Sequence, residues 1–196
     1  ICLMIKYAKS KNNIRNLVML NMVLVYGMKR GDLYNLKWDQ FEKEDSGKMM
    51  LYNYSMFSSK IPVPFFLEVL LNELKDFYKK NGIVGEYVFC VLKGHAKRNI
   101  KSGLRITEVE IDKIFNDFVS VLGNEEKCTP TYLRKKIPMF LMLQGCDLKE
   151  ILVYFNMKFT AINDYVDKED LEILFSNNIK RRTIMNFWEE VMEKCS

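Results

Sequence analysis

Apolar residues recur at helical spacing along most of this chain, with one interval of a different character. From Ile14 to Tyr26 they fall at 14, 17, 18, 20, 22, 23, 24 and 25. That is nearly all round a helix, so the spacing predicts a buried one, ended by Gly27. Leu33, Leu36 and Lys37 keep helical spacing and predict a short second helix over Asp32 to Trp38. Residues 40–66 change period. Met49 to Tyr54 and Ile61 to Pro64 are β-leaning runs separated by Ser58-Ser59-Lys60, with Ser46-Gly47 as an earlier turn. They predict two or three short antiparallel strands, the last an edge because of Pro62 and Pro64.

Helical spacing then returns. Leu67, Leu70, Leu71, Leu74, Phe77 and Tyr78 predict an amphipathic helix over Phe66 to Lys80, closed by Asn81-Gly82. Tyr87-Val88-Phe89 reads as a brief extended piece. Thr107 with Glu110 has the capping-box pattern and opens a helix through Val121, with Val109, Ile111, Ile114, Phe115 and Phe118 on or near its inner face. Thr129-Pro130 starts a helix through about Gln144 with Gly145 as its C-cap, and Asp147 begins the next, to about Asn156. Residues 160–166 are open between helix and loop. Asp170 to Asn177 and Arg181 to Lys194 predict terminal helices. The fold class expected is mainly α with a small antiparallel β-sheet.

With 196 residues and 48% hydrophobic content, the chain can bury one sizeable core, and residues 1–196 read as one domain. The start at Ile1, without an initiator Met, is expected of a fragment of something longer. No apolar run approaches the roughly 18 residues needed to cross a bilayer. Leu17 to Tyr26 is interrupted by Asn21 and reads as a buried helix. Cysteines at 2, 90, 128, 146 and 195 have no paired spacing. This argues against a disulfide framework and a zinc site, and suits a reducing cytoplasm. One histidine, His95, cannot anchor a His-rich metal cluster or a Ser-His-Asp triad, so no metal or cofactor is expected.

The net charge of +5 permits nucleic-acid binding without requiring it. Its distribution says more. Lys93, His95, Lys97, Arg98, Lys101 and Arg105 lie in a stretch without acids; Arg134-Lys135-Lys136 forms a second cluster and Lys180-Arg181-Arg182 a third.

One ordered set of residues changes the picture. Gly27, Asp32, Leu36, Trp38 and Asp39 are followed by Thr131-Tyr132-Leu133-Arg134, then Gly145, Asp147, Leu148 and Ile151, and then Tyr165. Over residues 10–167 this order and spacing resemble the catalytic domain of the tyrosine recombinases, or phage integrases. The resemblance implies DNA cutting by a tyrosine hydroxyl, without metal or cofactor, assisted by two arginines, a hairpin lysine and two histidines. Arg134 and Tyr165 match the second arginine and the nucleophile. Lys29 stands where the first arginine belongs, keeping charge but not the planar fork. Arg30, next to it, points about 100° away on a helix. Thr131 replaces the first histidine and Met157 the second. Met56 holds the hairpin lysine's position, with Lys60 the nearby candidate. Tyr165 lies one residue nearer Met157 than is usual in the family.

These replacements lean the reading away from catalysis. Losing one transition-state donor typically costs ~100- to 1,000-fold. The resemblance therefore implies a DNA-binding protein on a recombinase scaffold, repressor-like and carried by a phage or mobile element. A divergent active recombinase with Tyr165, Arg134 and Lys60 at its centre is the alternative; a protein-interaction module without DNA binding is a third. Expected partners are double-stranded DNA, met by Lys93, Lys97, Arg98, Lys101, Arg105, Arg134, Lys135 and Lys136, and a preceding helical DNA-binding domain. Arg134 itself is open between a phosphate ligand and a structural ion-pair partner. The last helix, with Phe187, Trp188, Val191 and Met192, is open between docking on a neighbouring subunit and packing in cis. No membrane partner is expected.

Overall fold

The computed structural model describes residues 1–92, 102–122, 129–164 and 182–195. Its centre is the helix that the apolar pattern demands, here α2 (Ile14–Tyr26), in which every residue from Leu17 to Tyr26 is buried. Asn13 caps it, accepting from the Asn16 amide at 3.3 Å. Asn21 fits inside because its Nδ2 donates one turn back to the Leu17 carbonyl at 2.8 Å. Around α2 pack α1 (Cys2–Ser10), α4 (Phe65–Lys80) and α6 (Pro130–Leu143). α1 carries Met4, Ile5 and Ala8 into the core. The sequence reading passed over it, because nine residues with three inward positions give only a weak period.

Gly27 ends α2 in the left-handed region, at φ +58°. A Cβ there would stand 2.2 Å from a ring carbon of Phe155, itself fully buried. α3 (Arg30–Asn35) starts two residues earlier than predicted and stops short of Trp38. The reason is Asp32: its carboxylate accepts from the Lys29 amide at 2.7 Å, so it sits in the first turn and not before it. Trp38 instead opens a short 3-10 turn, Trp38–Gln40.

β1 (Phe41–Lys43), β2 (Met49–Ser55) and β3 (Ser58–Pro62) form an antiparallel sheet in that order, with β3 at one edge, as its prolines predict. Leu51 pairs with Phe41 on one side and Ile61 on the other, fixing which face is buried. The β2–β3 register slips between Tyr52 and Ser55, where Asn53 has φ +54°. After α4, Val88 donates to the Leu36 carbonyl at 2.9 Å, giving the extended piece at 87–89 its place.

α5 (Glu108–Leu122) opens as predicted, Thr107 Oγ1 accepting from the Glu110 amide at 3.1 Å. Ile111, Ile114, Phe115 and Phe118 face inward, but Val109 does not. It is 64% exposed, because two residues before Ile111 it points about 200° away, to the opposite face of the helix. α6 tolerates Pro138 within its length. α7 (Leu148–Tyr154) is shorter than predicted, since Asn156 turns the chain at φ +48°. A 3-10 helix, Phe159–Asp164, follows. The helix predicted at 170–177 lies outside the described residues.

The last helix, α8 (Ile184–Lys194), starts after its Thr183 cap and not at Arg181. It packs in cis: Ile184, Phe187, Trp188 and Met192 are buried on its own domain. Glu150 accepts from the Ile184 amide at 2.7 Å and Glu189 from the Phe65 amide at 2.8 Å. The apolar face that could have served a neighbouring subunit is thereby covered. Cys2, Cys90, Cys146 and Cys195 are free thiols.

Substitution of Gly27 by Ala adds left-handed strain of about 1–3 kcal/mol and overpacking of about 1–3 kcal/mol against Phe155. Urea denaturation should show a loss of about 2–6 kcal/mol for Gly27→Ala. Gly82→Ala, at φ +62° in open space, should lose only the strain. Equal losses would mean that the Phe155 contact does not constrain Gly27.

Candidate nucleic-acid site

A cleft of about 370 Å³ lies where the ends of several elements meet. Its walls are Lys29 before α3, Met56 at the hairpin tip, Arg134 on α6, and Asn156, Met157, Lys158, Thr160 and Ala161 after α7. Three of these side chains are cationic and none is acidic. The structure thus brings Lys29, Arg134, Met157 and Met56 to one place, from parts of the chain far apart.

Arg134 reaches the cleft because Thr129 and Pro130 set the start of α6, with Thr129 Oγ1 accepting from the Tyr132 amide at 3.1 Å. That phase turns Arg134 inward, where the residue is 7% exposed. Nη1 donates to the Gly27 carbonyl at 2.6 Å and Nη2 to the Asn156 carbonyl at 3.1 Å. The guanidinium also acts electrostatically on the Tyr54 phenol, whose hydroxyl donates to the Tyr26 carbonyl at 2.7 Å. Burial holds that phenol protonated far above its ordinary range; Asp32 adds to the effect and Arg134 opposes it. These partners of Arg134 are all neutral. Of the two roles open for Arg134, the ion-pair partner finds no carboxylate among the described residues. A buried cation without a counter-charge is costly unless an anion can reach it.

Lys29 is exposed and lines this cleft and a second one beside it, of about 540 Å³. Thr131 opens onto that second cleft, together with Arg30, Glu108 and Asp112, and not onto the Arg134 cleft. Arg30 is held across to α5 by Asp112 at 2.7 Å and Glu108 at 3.0 Å. It therefore does not stand in for the missing arginine. Lys60 lies on β3 opposite Tyr52 and pairs with Glu44, outside the cleft walls. Met157 is 3% exposed and gives its wall a thioether in place of an imidazole. Tyr165 lies outside the described residues, one position beyond the 3-10 helix.

Of the basic residues expected on the DNA face, Lys93, Lys97, Arg98 and Lys101 also fall outside the described residues. Arg105 is engaged in packing: its guanidinium lies 3.7 Å from the Tyr34 ring centre and donates to Asn35 at 2.9 Å. Lys135 and Lys136 are exposed on α6. Arg182 is structural, donating to the Gln144 carbonyl at 2.8 Å and pairing with Glu190 at 2.9 Å. Among the described residues no cluster of His, Cys, Asp or Glu could hold a metal ion, and no helix is long and apolar enough to cross a membrane.

Two residues of the site were missed in the sequence. Lys158 follows directly on Met157. Asn156 pins the hairpin: its Oδ1 accepts from the Met56 amide at 2.8 Å and its Nδ2 donates to the Tyr54 carbonyl at 3.0 Å. Asparagine tolerates the positive φ needed there, the one local signal available. Asn156→Ala should lose two hydrogen bonds worth about 0.5–1.5 kcal/mol each and add backbone strain of about 1 kcal/mol or more. Chemical denaturation should show about 2–4 kcal/mol for Asn156→Ala and less for Asn156→Gly, with faster amide exchange at Met56 in both. Unchanged exchange at Met56 would mean that Asn156 does not anchor the hairpin.

The geometry has counterparts in known proteins. No curated protein sequence matches the chain significantly. Among solved structures, XerA recombinase superposes with a TM-score of 0.66 at 17% identity, covering 92% of this chain and 61% of the other. The XerH site-specific recombinase bound to difH substrate in a pre-cleavage complex gives 0.62 at 19% identity, covering 89% and 51%. A lambda integrase dimer bound to a COC′ core site gives 0.52 at 16% identity, covering 85% and 58%. The chain spans about half to three-fifths of the length of these proteins, and the likeness establishes a shared fold, helical with a small antiparallel sheet. The phage integrase family profile matches residues 2–172. The chain belongs to the phage integrase family, and its fold is that of a tyrosine recombinase catalytic domain.

Proposed function

We propose that this domain grips the phosphate backbone of double-stranded DNA on a recombinase scaffold without efficient strand cleavage, as a regulator carried by a phage or mobile element. It would act repressor-like in the cytoplasm of a bacterial host, with a preceding helical domain completing the grip. The observation that carries the reading is Arg134: a buried guanidinium with neutral partners, opening on a cleft where Lys29 and Lys158 add positive charge. A phosphate is the natural anion for such a site. The DNA complexes of XerH and lambda integrase support the choice of duplex DNA.

The replaced positions argue against efficient phosphoryl transfer. Attack of a tyrosine oxygen on phosphorus breaks the bond to the 5′ oxygen, which must gain a proton as it leaves. Negative charge builds on the non-bridging oxygens and needs donors. Met56 and Met157 have no proton to give, and Thr131 opens elsewhere. Penalties of ~100- to 1,000-fold per lost donor need not multiply, because such groups act as a unit. One full penalty already leaves cleavage very slow.

Fluorescence anisotropy with labelled duplex across a salt series tests this. The protein should bind at low salt and weaken linearly in log–log form, with slope about −0.9 per phosphate neutralised. Lys29→Ala and Lys158→Ala should each reduce that slope by about 1. Absence of binding at low salt would remove the DNA reading, as would slopes indifferent to both substitutions.

A further inference from the structure

Next in the chain to residues of the cationic Arg134 cleft stand exposed apolar side chains. Met56 and Phe57, at the tip of the β2–β3 hairpin, are 62% and 49% exposed. Phe159, between the wall residues Lys158 and Thr160, is 68% exposed. The tip is held in place: Asn156 takes the Met56 amide, and Ser55 Oγ takes the Phe57 amide at 3.2 Å. A large apolar side chain on an anchored tip loses little freedom on binding. Both rings thus stand ready, beside positive charge, for something that is anionic on one side and flat and apolar on the other.

A nucleic acid has both properties, phosphate for the cations and base faces for the rings. Three cations without an acid in the cleft walls complement a polyanion. Resting on the DNA reading above, we propose that Phe57 and Phe159, with Met56, form an apolar wedge that enters a base step of duplex DNA held at the Arg134 cleft. The hairpin then opens the duplex locally where its missing lysine would have served cleavage. Apolar wedges of this kind part stacked bases and kink the duplex. Stacking on a ring is indifferent to base identity, so the wedge reads deformability and not sequence.

The test uses the protein with duplexes carrying 2-aminopurine, either fully paired or with one unpaired base. Binding should raise 2-aminopurine fluorescence, and the duplex with the unpaired base should bind about 10-fold tighter, since its step is already open. Phe57→Ala and Phe159→Ala should each erase most of that preference and the fluorescence rise while leaving the salt slope unchanged, because no phosphate contact is lost. Circular dichroism of both variants should match wild type, as both side chains face solvent. Salt-dependent binding without a fluorescence change, or a preference that survives both substitutions, would overturn the wedge alone. No duplex binding at low salt would overturn the DNA reading and the wedge with it.

Discussion

The guanidinium of Arg134 joins the end of the central helix to the segment after α7, through the Gly27 and Asn156 carbonyls, and Asn156 in turn holds the hairpin. Each of these points is fixed by something else. Gly27 must lack a side chain so that Phe155 can pack beneath it. Asn156 must accept a positive φ so that its amide can hold Met56 and Tyr54. Without the guanidinium, carbonyls at the meeting point would lose their donors, at a cost of about 1–3 kcal/mol each if they stayed buried. The cleft exists because these segments are tied at one atom group.

Among the described residues, no carboxylate answers the charge held in this tie. In most folded proteins a buried arginine is matched by a carboxylate. Here the acids Asp112 and Glu108 hold Arg30. Glu44 holds Lys60 in the same way. Acids thus engage the neighbouring cations, while the described walls of the cleft hold Arg134, Lys29 and Lys158 and no acid. That division of charge makes the cleft attractive to phosphate, and it stands independently of the groups that cleavage needs.

Much of the fold was legible because its rules are local. The all-round apolar run of α2, Gly27 after it, the Thr129-Pro130 start of α6 and the Asp147 cap of α7 each sit in a few consecutive residues. So were the family spacing and the identities of Lys29, Thr131 and Met157. What stayed hidden depends on partners distant in sequence. Val109 is apolar and sits next to the inner residues in sequence, but its phase puts it on the outer face. Asp32 looked like a helix start because its bond back to Lys29 is invisible in a pattern. The choice between Met56 and Lys60 turned on the hairpin register and on Glu44, and the role of Asn156 on a contact a hundred residues away. The α8 face could have been read either way until Phe65 and Glu150 were seen beside it.

A recombinase scaffold that holds DNA without cutting it needs the fold, the cationic cleft and a chain positioned by them, but not the proton donors. Covalent trapping on a nicked suicide duplex tests that distinction most directly, with binding verified in the same reaction. Bound DNA and no protein–DNA adduct after denaturation are expected, in wild type and in Tyr165→Phe alike. An adduct formed by the wild type and lost in Tyr165→Phe would contradict this and make the chain a working recombinase.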